Sequence, residues 1–472
     1  MTDRIERDPL GELPVADSAL YGIQTERARH NFPISGMTPL PVFVNGIVWV
    51  KQAAALTHRE TGRLEARLAD AIVAAADEVL AGKHRDQFVV DPFQAGAGTS
   101  HNMNANEVLA NRANELLGGR RGEYTPVHPN DHVNMAQSTN DAIPTAIRLA
   151  VLSLLPELLY AKRVLTDSLL AKGREFDHVI KSGRTHLQDA APIRLGQEFT
   201  AYGHTVERNI RRLEASTQWI AELNIGGSAV GTGLNTEPEY TRLMIRYLNE
   251  IAGLEVKEGR DRVQLMQSMG DFAAFSSALR TYAGDLNKIA NDIRLLSSGP
   301  NTGIAEISLP AVQPGSSIMP GKVNPSIAEM VNMVCYQAMG NDHTVALASQ
   351  AGELELNVMM PVIAHNLLFA MQIMTNATRI FAERCIIGVA ANEERCRELL
   401  ERNPAVATAL APRLGYAEAA KLAKEAVERN MTIRELVAEK GIMAVEELDR
   451  ILDLRAMTEP GVPGLPAPPG QD

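Results

Sequence analysis

From residue 147 onward, apolar side chains recur at spacings of three and four: Ile147, Val151, Leu154, Leu158, Ala161, Leu165 and Leu169. That spacing lays one apolar stripe along a helix, and so long a stripe has to be covered by other helices. Similar patterns occupy roughly 194–222, 238–253, 264–298, 325–349 and 361–386, with little strand signal between them. Long helices in succession have few ways to bury their stripes, and a helical bundle is the simplest. Several of these segments also carry Ala, Met and Leu on more than one side. A helix apolar around most of its girth is covered on all sides, by neighbours or by further copies of the chain. The expected fold is mainly α, and the expected state is an oligomer.

The long-helix region spans about 141–390 and is flanked by two different stretches. Residues 1–140 mix short helical patterns with Gly, Pro and Asn, and segments such as 93–102 and 125–131 read as loops. A smaller helical module follows over 391–460, where Asn392-Glu-Glu-Arg opens a helix and Gly415-Tyr and Gly441-Ile mark turns. Residues 461–472, rich in Pro and Gly, cannot build a regular helix or ladder and read as a flexible tail. A chain of 472 residues is too long for one simple core, which agrees with such a division.

Composition removes several function classes. The net charge is −11, and Lys and Arg are dispersed, without a basic run or an aromatic-interleaved basic patch. Nucleic-acid binding is therefore not expected. Cys335, Cys385 and Cys396 are odd in number and lack metal-ligand spacing, so they read as reduced thiols packed on helices. The first residues are charged, with no apolar signal-peptide region. The richest apolar run, Leu149 to Leu155, is flanked by Arg148 and Pro156, so no membrane span is expected. The reading is a cytoplasmic protein.

Four polar clusters stand beside these apolar helices. The first, Gly96-Ala-Gly-Thr-Ser-His-Asn-Met-Asn-Ala-Asn-Glu, is either a helix start capped by Thr99 or Ser100, or a helix N-terminus that receives a carboxylate. The second, His128-Pro-Asn-Asp-His-Val-Asn-Met-Ala-Gln-Ser-Thr-Asn-Asp, carries more hydrogen-bonding groups than one turn needs. Its consecutive short donors Ser138, Thr139 and Asn140 suit an anion. The third, Gly183-Arg-Thr-His-Leu-Gln-Asp-Ala, offers His186 beside Thr185 to orient an amine or hydroxyl, and Arg184 as a clamp or a structural ion-pair partner. The fourth, Gly315-Ser-Ser-Ile-Met-Pro-Gly-Lys-Val-Asn-Pro, holds Lys322 and Asn324 in fixed relation to Ser316. Lys322 is a point charge for a carboxylate. A serine becomes a base only where N–H groups or a cation stabilise its alkoxide.

This fourth run resembles the signature loop of the aspartase/fumarase superfamily, and the other three clusters match that superfamily's remaining motifs in order. The resemblance extends from about Ile5 to about Pro460. It implies three mostly helical domains, with the central long helices forming a twenty-helix core in a homotetramer whose active sites are each shared by three subunits. It implies no metal or organic cofactor in the chemistry, and a small dicarboxylate substrate. On this sequence Ser316 resembles the general base that removes the C3 proton. Thr185, Ser317, Lys322 and Asn324 match residues that bind the carboxylate on which an enediolate forms. Thr99, Ser138 and Thr139 resemble residues holding the other carboxylate. Asn140 and His186 are similar to groups that contact the leaving amine, and Glu329 to the acid that orients the histidine. Gly315, Gly321 and the flanking prolines fit a hinged lid.

The implied reaction is a reversible anti-elimination that releases fumarate. Gly98-Thr-Ser, Ser138-Thr-Asn, Ala305-Glu-Ile-Ser-Leu-Pro and Met457-Thr-Glu-Pro-Gly resemble the aspartase branch more than the class II fumarases, favouring L-aspartate over L-malate. His101, the Met266-Gln-Ser-Met-Gly-Asp stretch and Met360 depart from that branch, and point either to a substituted aspartate or to neutral drift. A non-catalytic scaffold is the reading from another class. It conflicts with the presence of Ser316, Lys322, Asn324, Thr185 and His186 together.

Overall fold

The structure, a computed structural model, describes residues 3–464. It is mainly helical, as the periodicity requires. An antiparallel hairpin of β1 (Asp3–Asp8) and β2 (Gly11–Ala16) leads to α1 (Ile23–Asn31), α2 (Pro41–Glu60), α3 (Ala66–Leu80) and α4 (Thr99–Leu116). Then come α5 (Thr139–Glu175), a second antiparallel hairpin of β3 (Ile180–Thr185) and β4 (Gln188–Arg194), α6 (Leu195–Ile220) and α7 (Tyr240–Ala252). They are followed by α8 (Arg262–Gln267), α9 (Gly270–Leu296), α10 (Ser326–Gln350) and α11 (Met360–Arg384). Short helices α12 (Glu393–Glu401), α13 (Ala411–Leu414), α14 (Tyr416–Arg429), α15 (Ile433–Glu439) and α16 (Val445–Ile451) end the described chain. The expected tail at 461–472 lies outside the described residues from 465 onward.

Two expectations need correction. The pattern at 264–298 is two helices, because Ser268 is extended, with φ −103° and ψ 122°, and separates α8 from α9. The apolar periodicity runs through this break, since Met266 and Met269 are both fully buried. In addition, α5 is long and apolar enough to cross a bilayer, contrary to the reading of its sequence. Its most apolar window is 67% buried within the protein, however, as befits a core helix.

The chain gathers into two compact units, each discontinuous in sequence. The first comprises the stretches up to 160, 209–284 and 334–376. Here α2 packs against α3 and α7, and α3 against α4. The chain also passes α2 at very short range: a Cβ on Gly46 would lie 2.3 Å from the Ala146 carbonyl oxygen, so only glycine fits there. Further along, Pro144 cannot donate to the carbonyl of Asn140 four residues before it. Asn224 supplies the missing donor, its Nδ2 lying 3.2 Å from that oxygen. Arg148 is fully buried in this unit; it donates to the Trp219 carbonyl at 2.6 Å and to Asp271 at 2.8 Å, and lies over the Phe272 ring.

The second unit comprises 161–208, 285–333 and the stretch from 377 onward. Its apolar centre is built from Leu400, Leu410, Leu422, Ile433, Leu436 and Leu448 on and between the short C-terminal helices. The helix start at Asn392 and the turns at Gly415 and Gly441, both with positive φ, fall where the sequence marks them. The β3–β4 hairpin is fastened to this unit by Asn403, whose Nδ2 donates to Ser182 Oγ and to the Ala190 carbonyl.

Arg148→Ala leaves Asp271 without its partner, and truncation of a buried ion pair costs about 3 kcal/mol. Urea denaturation should show a loss of that size. A loss below about 1 kcal/mol would mean that Arg148 is not a keystone of this packing.

Candidate active site

In the first unit, the second and first polar clusters form the starts of α5 and α4. Ser138 caps α5: its Oγ accepts from the Asn140 N–H at 3.2 Å, and Asp141 reaches back to the Ser138 N–H at 2.9 Å. This reciprocal arrangement is a variant of the capping box, with the hydroxyl on the second N–H of the helix instead of the third. Asp141 is fully buried, and its other oxygen accepts from the N–H groups of Gly226 and Ser228 at 3.1 and 3.0 Å. One carboxylate thus joins the start of α5 to the loop Gly226-Gly-Ser-Ala-Val-Gly-Thr-Gly. That loop also receives the Asn140 side chain, whose Nδ2 donates to the Ala229 carbonyl at 2.8 Å. Burial pushes the Asp141 carboxyl up to about 6.

The N-cap of α4 is Gly98 with φ 85°, rather than Thr99 or Ser100. Thr99 is the first helical residue and is exposed, its hydroxyl donating to the Gly96 carbonyl at 3.3 Å. Gly98 lies against Ile143, so the first turn of α4 sits beside the first turns of α5. This unit therefore brings Thr99 and Ser138–Asn140 into one neighbourhood. Two helix N-termini there offer unpaired N–H groups and positive dipole ends to an anion.

Beneath them lies Lys51, fully buried on α2, which donates to Asn102 Oδ1, Asn134 Oδ1 and Gln137 Oε1 at 2.7, 2.9 and 2.8 Å. Burial pushes its ammonium down to about 7, opposed by the nearby Asp141. His101 points into the core instead of toward Thr99. It is 4% exposed, meets Phe43 edge-on, and burial lowers its ring to about 4. Met360 is likewise fully buried, as are Met266 and Met269.

In the second unit, Thr185 and His186 stand at the exposed tip of the β3–β4 hairpin. His186 and Leu187 form its two-residue turn with φ 56° and 61°, the geometry of a type I′ turn without its usual glycine or asparagine. Such backbone costs roughly 1–3 kcal/mol per residue, and persists only where the surroundings impose it. Arg184 is a structural ion-pair partner, its guanidinium forked onto the buried Glu306.

The serine loop is closed at its base. The Gly315 N–H donates to the Lys322 carbonyl at 2.8 Å, and Asn324 Nδ2 to the Gly315 carbonyl at 2.7 Å. A Cβ on Gly315 would lie 2.4 Å from the Lys322 carbonyl oxygen, so the closure demands glycine. Inside it, Ser316 Oγ accepts from the N–H groups of Ile318 and Met319 at 3.2 and 3.0 Å. Ser317 and Lys322 are exposed, and a cleft of about 470 Å³ opens along residues 311–323. No hydrogen bond links this loop to Thr185 or His186 among the described residues. Glu329 lies in the first turn of α10, and no side-chain bond joins it to His186 among the described residues.

These positions can be compared with known proteins. A family model described as "Lyase" matches residues 11–340, and one described as "Fumarase C C-terminus" matches 406–459. The chain is 49% identical over 461 residues to an aspartate ammonia-lyase of Bacillus subtilis, covering 98% of this chain and 97% of that protein. The chain belongs to the aspartase/fumarase family of lyases. It is also 48% identical over 460 residues to a class II fumarate hydratase of Halobacterium salinarum, covering 97% and 98% of the two chains. Among solved structures, a Brucella melitensis protein described as a fumarate lyase:delta crystallin bound to cobalt superposes with a TM-score of 0.93 at 48% identity. It covers 97% of this chain and 100% of its own.

Within this lyase, three participants carried no assignment from sequence. The Gly226–Gly233 loop was detectable as a glycine-dense stretch, but not as a partner of Asp141, 85 residues earlier. Lys51 sits in the apolar middle of α2, where one charged residue between Val50 and Ala53 is the only signal. Glu306 was legible only as one letter of the Ala305-Glu-Ile-Ser-Leu-Pro run.

Lys51 generates a pH prediction. Its folded pKa lies below the unfolded value of 10.5, so the unfolded chain binds more protons between about 7 and 10.5, and stability rises with pH across that window. From pH 7 to pH 9, the parent should gain about 2 kcal/mol in urea unfolding relative to Lys51→Met. Parallel pH profiles of the two proteins would contradict the shift.

Proposed function

We propose that this enzyme catalyses the reversible anti-elimination of ammonia from L-aspartate, releasing fumarate. The observation that carries the reading is the pair of backbone N–H groups on Ser316 Oγ. Donors aimed at a hydroxyl oxygen favour its alkoxide, the form that can act as a base. Ser316 takes the C3 proton, and the electron pair passes onto the adjacent carboxylate as an enediolate. Thr185, Ser317, Lys322 and Asn324 hold this group, where a second negative charge accumulates, so their donors act most strongly in the transition state. The C2–N bond then breaks, the double bond of fumarate forms, and ammonia leaves toward Asn140 and His186. Thr99, Ser138 and Thr139 bind the other carboxylate at the adjacent helix starts.

The residues so assigned lie on different parts of the chain, and the reading completes the site in a homotetramer, with three subunits contributing to each centre. Exposed apolar side chains on the long helices support an assembly: Tyr160 is 62% exposed, Tyr336 56% and Leu347 50%. Glu329 would then orient a histidine of another copy. The serine loop, with Ile318 83% exposed, serves as a lid over the bound substrate. The chain-order division into 1–140, 141–390 and 391–460 and a cytoplasmic setting belong to the same reading.

Hydration of fumarate is the competing reaction, since a fumarate hydratase is nearly as similar as the aspartate ammonia-lyases. His101 and Met360 are core side chains and lend no support to a substituted aspartate, whereas Gln267, Ser268 and Gly270 of the third departing stretch are exposed.

Fumarate formation followed by ultraviolet absorbance should appear with L-aspartate, with stoichiometric ammonia, and not with L-malate. The reverse pattern would make the protein a hydratase. Ser316→Ala should lower kcat by about 1,000-fold with the oligomer intact; retention of most of kcat would remove Ser316 from the base role. Lys322→Ala should raise KM and lower kcat together, and a change in KM alone would restrict Lys322 to uniform binding.

A further inference from the structure

We propose that the buried Glu306 carboxylate is a positioning residue for the elimination, fixing through the Arg184 guanidinium the strained turn that presents His186. This rests on the reading of His186 as a group that contacts the leaving amine.

The turn needs an external hold. His186 and Leu187 both occupy left-handed backbone, neither is glycine, and both are exposed, so no packing at the tip imposes the conformation. The hold is found one residue before Thr185. Arg184 Nη1 and Nη2 donate to the two oxygens of Glu306 at 2.9 Å each. A planar fork on a carboxylate fixes both distance and orientation, which a single contact does not.

Glu306 is also the partner of Lys181, at 3.1 Å. Residues three apart on a regular strand point to opposite faces, so Lys181 and Arg184 should not reach one carboxylate. They do so because the β3–β4 register shifts between Ser182 and Arg184, with Gly183 at the irregularity. A Cβ on Gly183 would lie 2.5 Å from the Ala191 carbonyl oxygen, so the bulge is built on glycine.

The carboxylate itself has a rigid seat. Glu306 is fully buried, its N–H donates to the Leu296 carbonyl, and its carbonyl accepts from the Asn392 N–H, each at 2.9 Å. The next two residues, Ile307 and Ser308, pair with Ala391 and Ala390. Lys181 is held on its other side by Glu198 at 2.9 Å. The result is a charged clamp that reaches the exposed tip through one guanidinium. None of its three carboxylate and cation members at Glu306 is assigned to touch substrate.

The test is a double-variant cycle in the full-length protein with L-aspartate as substrate. Glu306→Gln should lower kcat by about 10- to 100-fold, as expected for a displaced catalytic group, with KM changed less than about threefold. In the His186→Asn background, the same substitution should produce no further loss. An equal loss in both backgrounds, or a parental kcat for Glu306→Gln, overturns the proposal and leaves the role of His186 standing. A parental kcat for His186→Asn alone overturns the role of His186, and this proposal with it. Should Glu306→Gln fail to fold, Arg184→Lys replaces it. That variant keeps the charge and loses the fork, and it should show the same fall in kcat and the same dependence on His186.

Discussion

The buried carboxylate of Asp141 decides how the first unit presents its polar groups. Three backbone N–H groups, from Ser138, Gly226 and Ser228, converge on it from two segments far apart in sequence. A carboxylate taken out of water needs such donors, and a loop with several positive-φ residues needs such an acceptor. Each requirement meets the other. Lys51 adds a cation in the same core and binds the amide oxygens of Asn102, Asn134 and Gln137, which fixes the chain entering α5. The Ser138–Asn140 stretch is therefore held from beneath, by groups that no substrate reaches.

The second unit answers the same problem with opposite charges. There a buried carboxylate, Glu306, collects two cations from a bulged strand, and the strain falls on a turn at the hairpin tip. Both devices hold a few hydrogen-bond donors of an acidic protein in fixed positions. The serine loop is closed by groups of its own. Its closure through Gly315, Lys322 and Asn324 leaves the Ile318 and Met319 N–H groups on Ser316, and needs no side chain from elsewhere.

What was legible in sequence follows from these differences. Helices announce themselves through a local period, so the patterns at 194–222, 238–253, 325–349 and 361–386 fall close to α6, α7, α10 and α11. The break at Ser268 did not, because Met266 and Met269 keep the apolar period across it. The serine loop was readable because all its partners lie within eleven residues. The Asp141 and Glu306 clamps were not, because their bonds span 85 and 122 residues and leave no periodic imprint. His101 misled for a related reason. Two residues after Thr99 in a helix, a side chain points about 200° around the axis, away from any group that Thr99 contacts.

The choice between ammonia and water as leaving group turns on hydrogen-bond polarity. An ammonium group has donors and no acceptor, whereas a hydroxyl has both. In the proposed site, one N–H of the Asn140 amide is engaged by the Ala229 carbonyl, and its Oδ1 accepts no bond among the described residues. The free Oδ1 is thus available as an acceptor beside the second N–H, held in place by a loop that is itself fastened to Asp141. An amide is no acid at any relevant pH and cannot protonate a departing hydroxide. A departing amine needs no such proton, because it leaves as neutral ammonia. The polarity of Asn140 therefore fits an amino acid substrate better than a hydroxy acid, and it depends on the Asp141 carboxylate that fastens the loop.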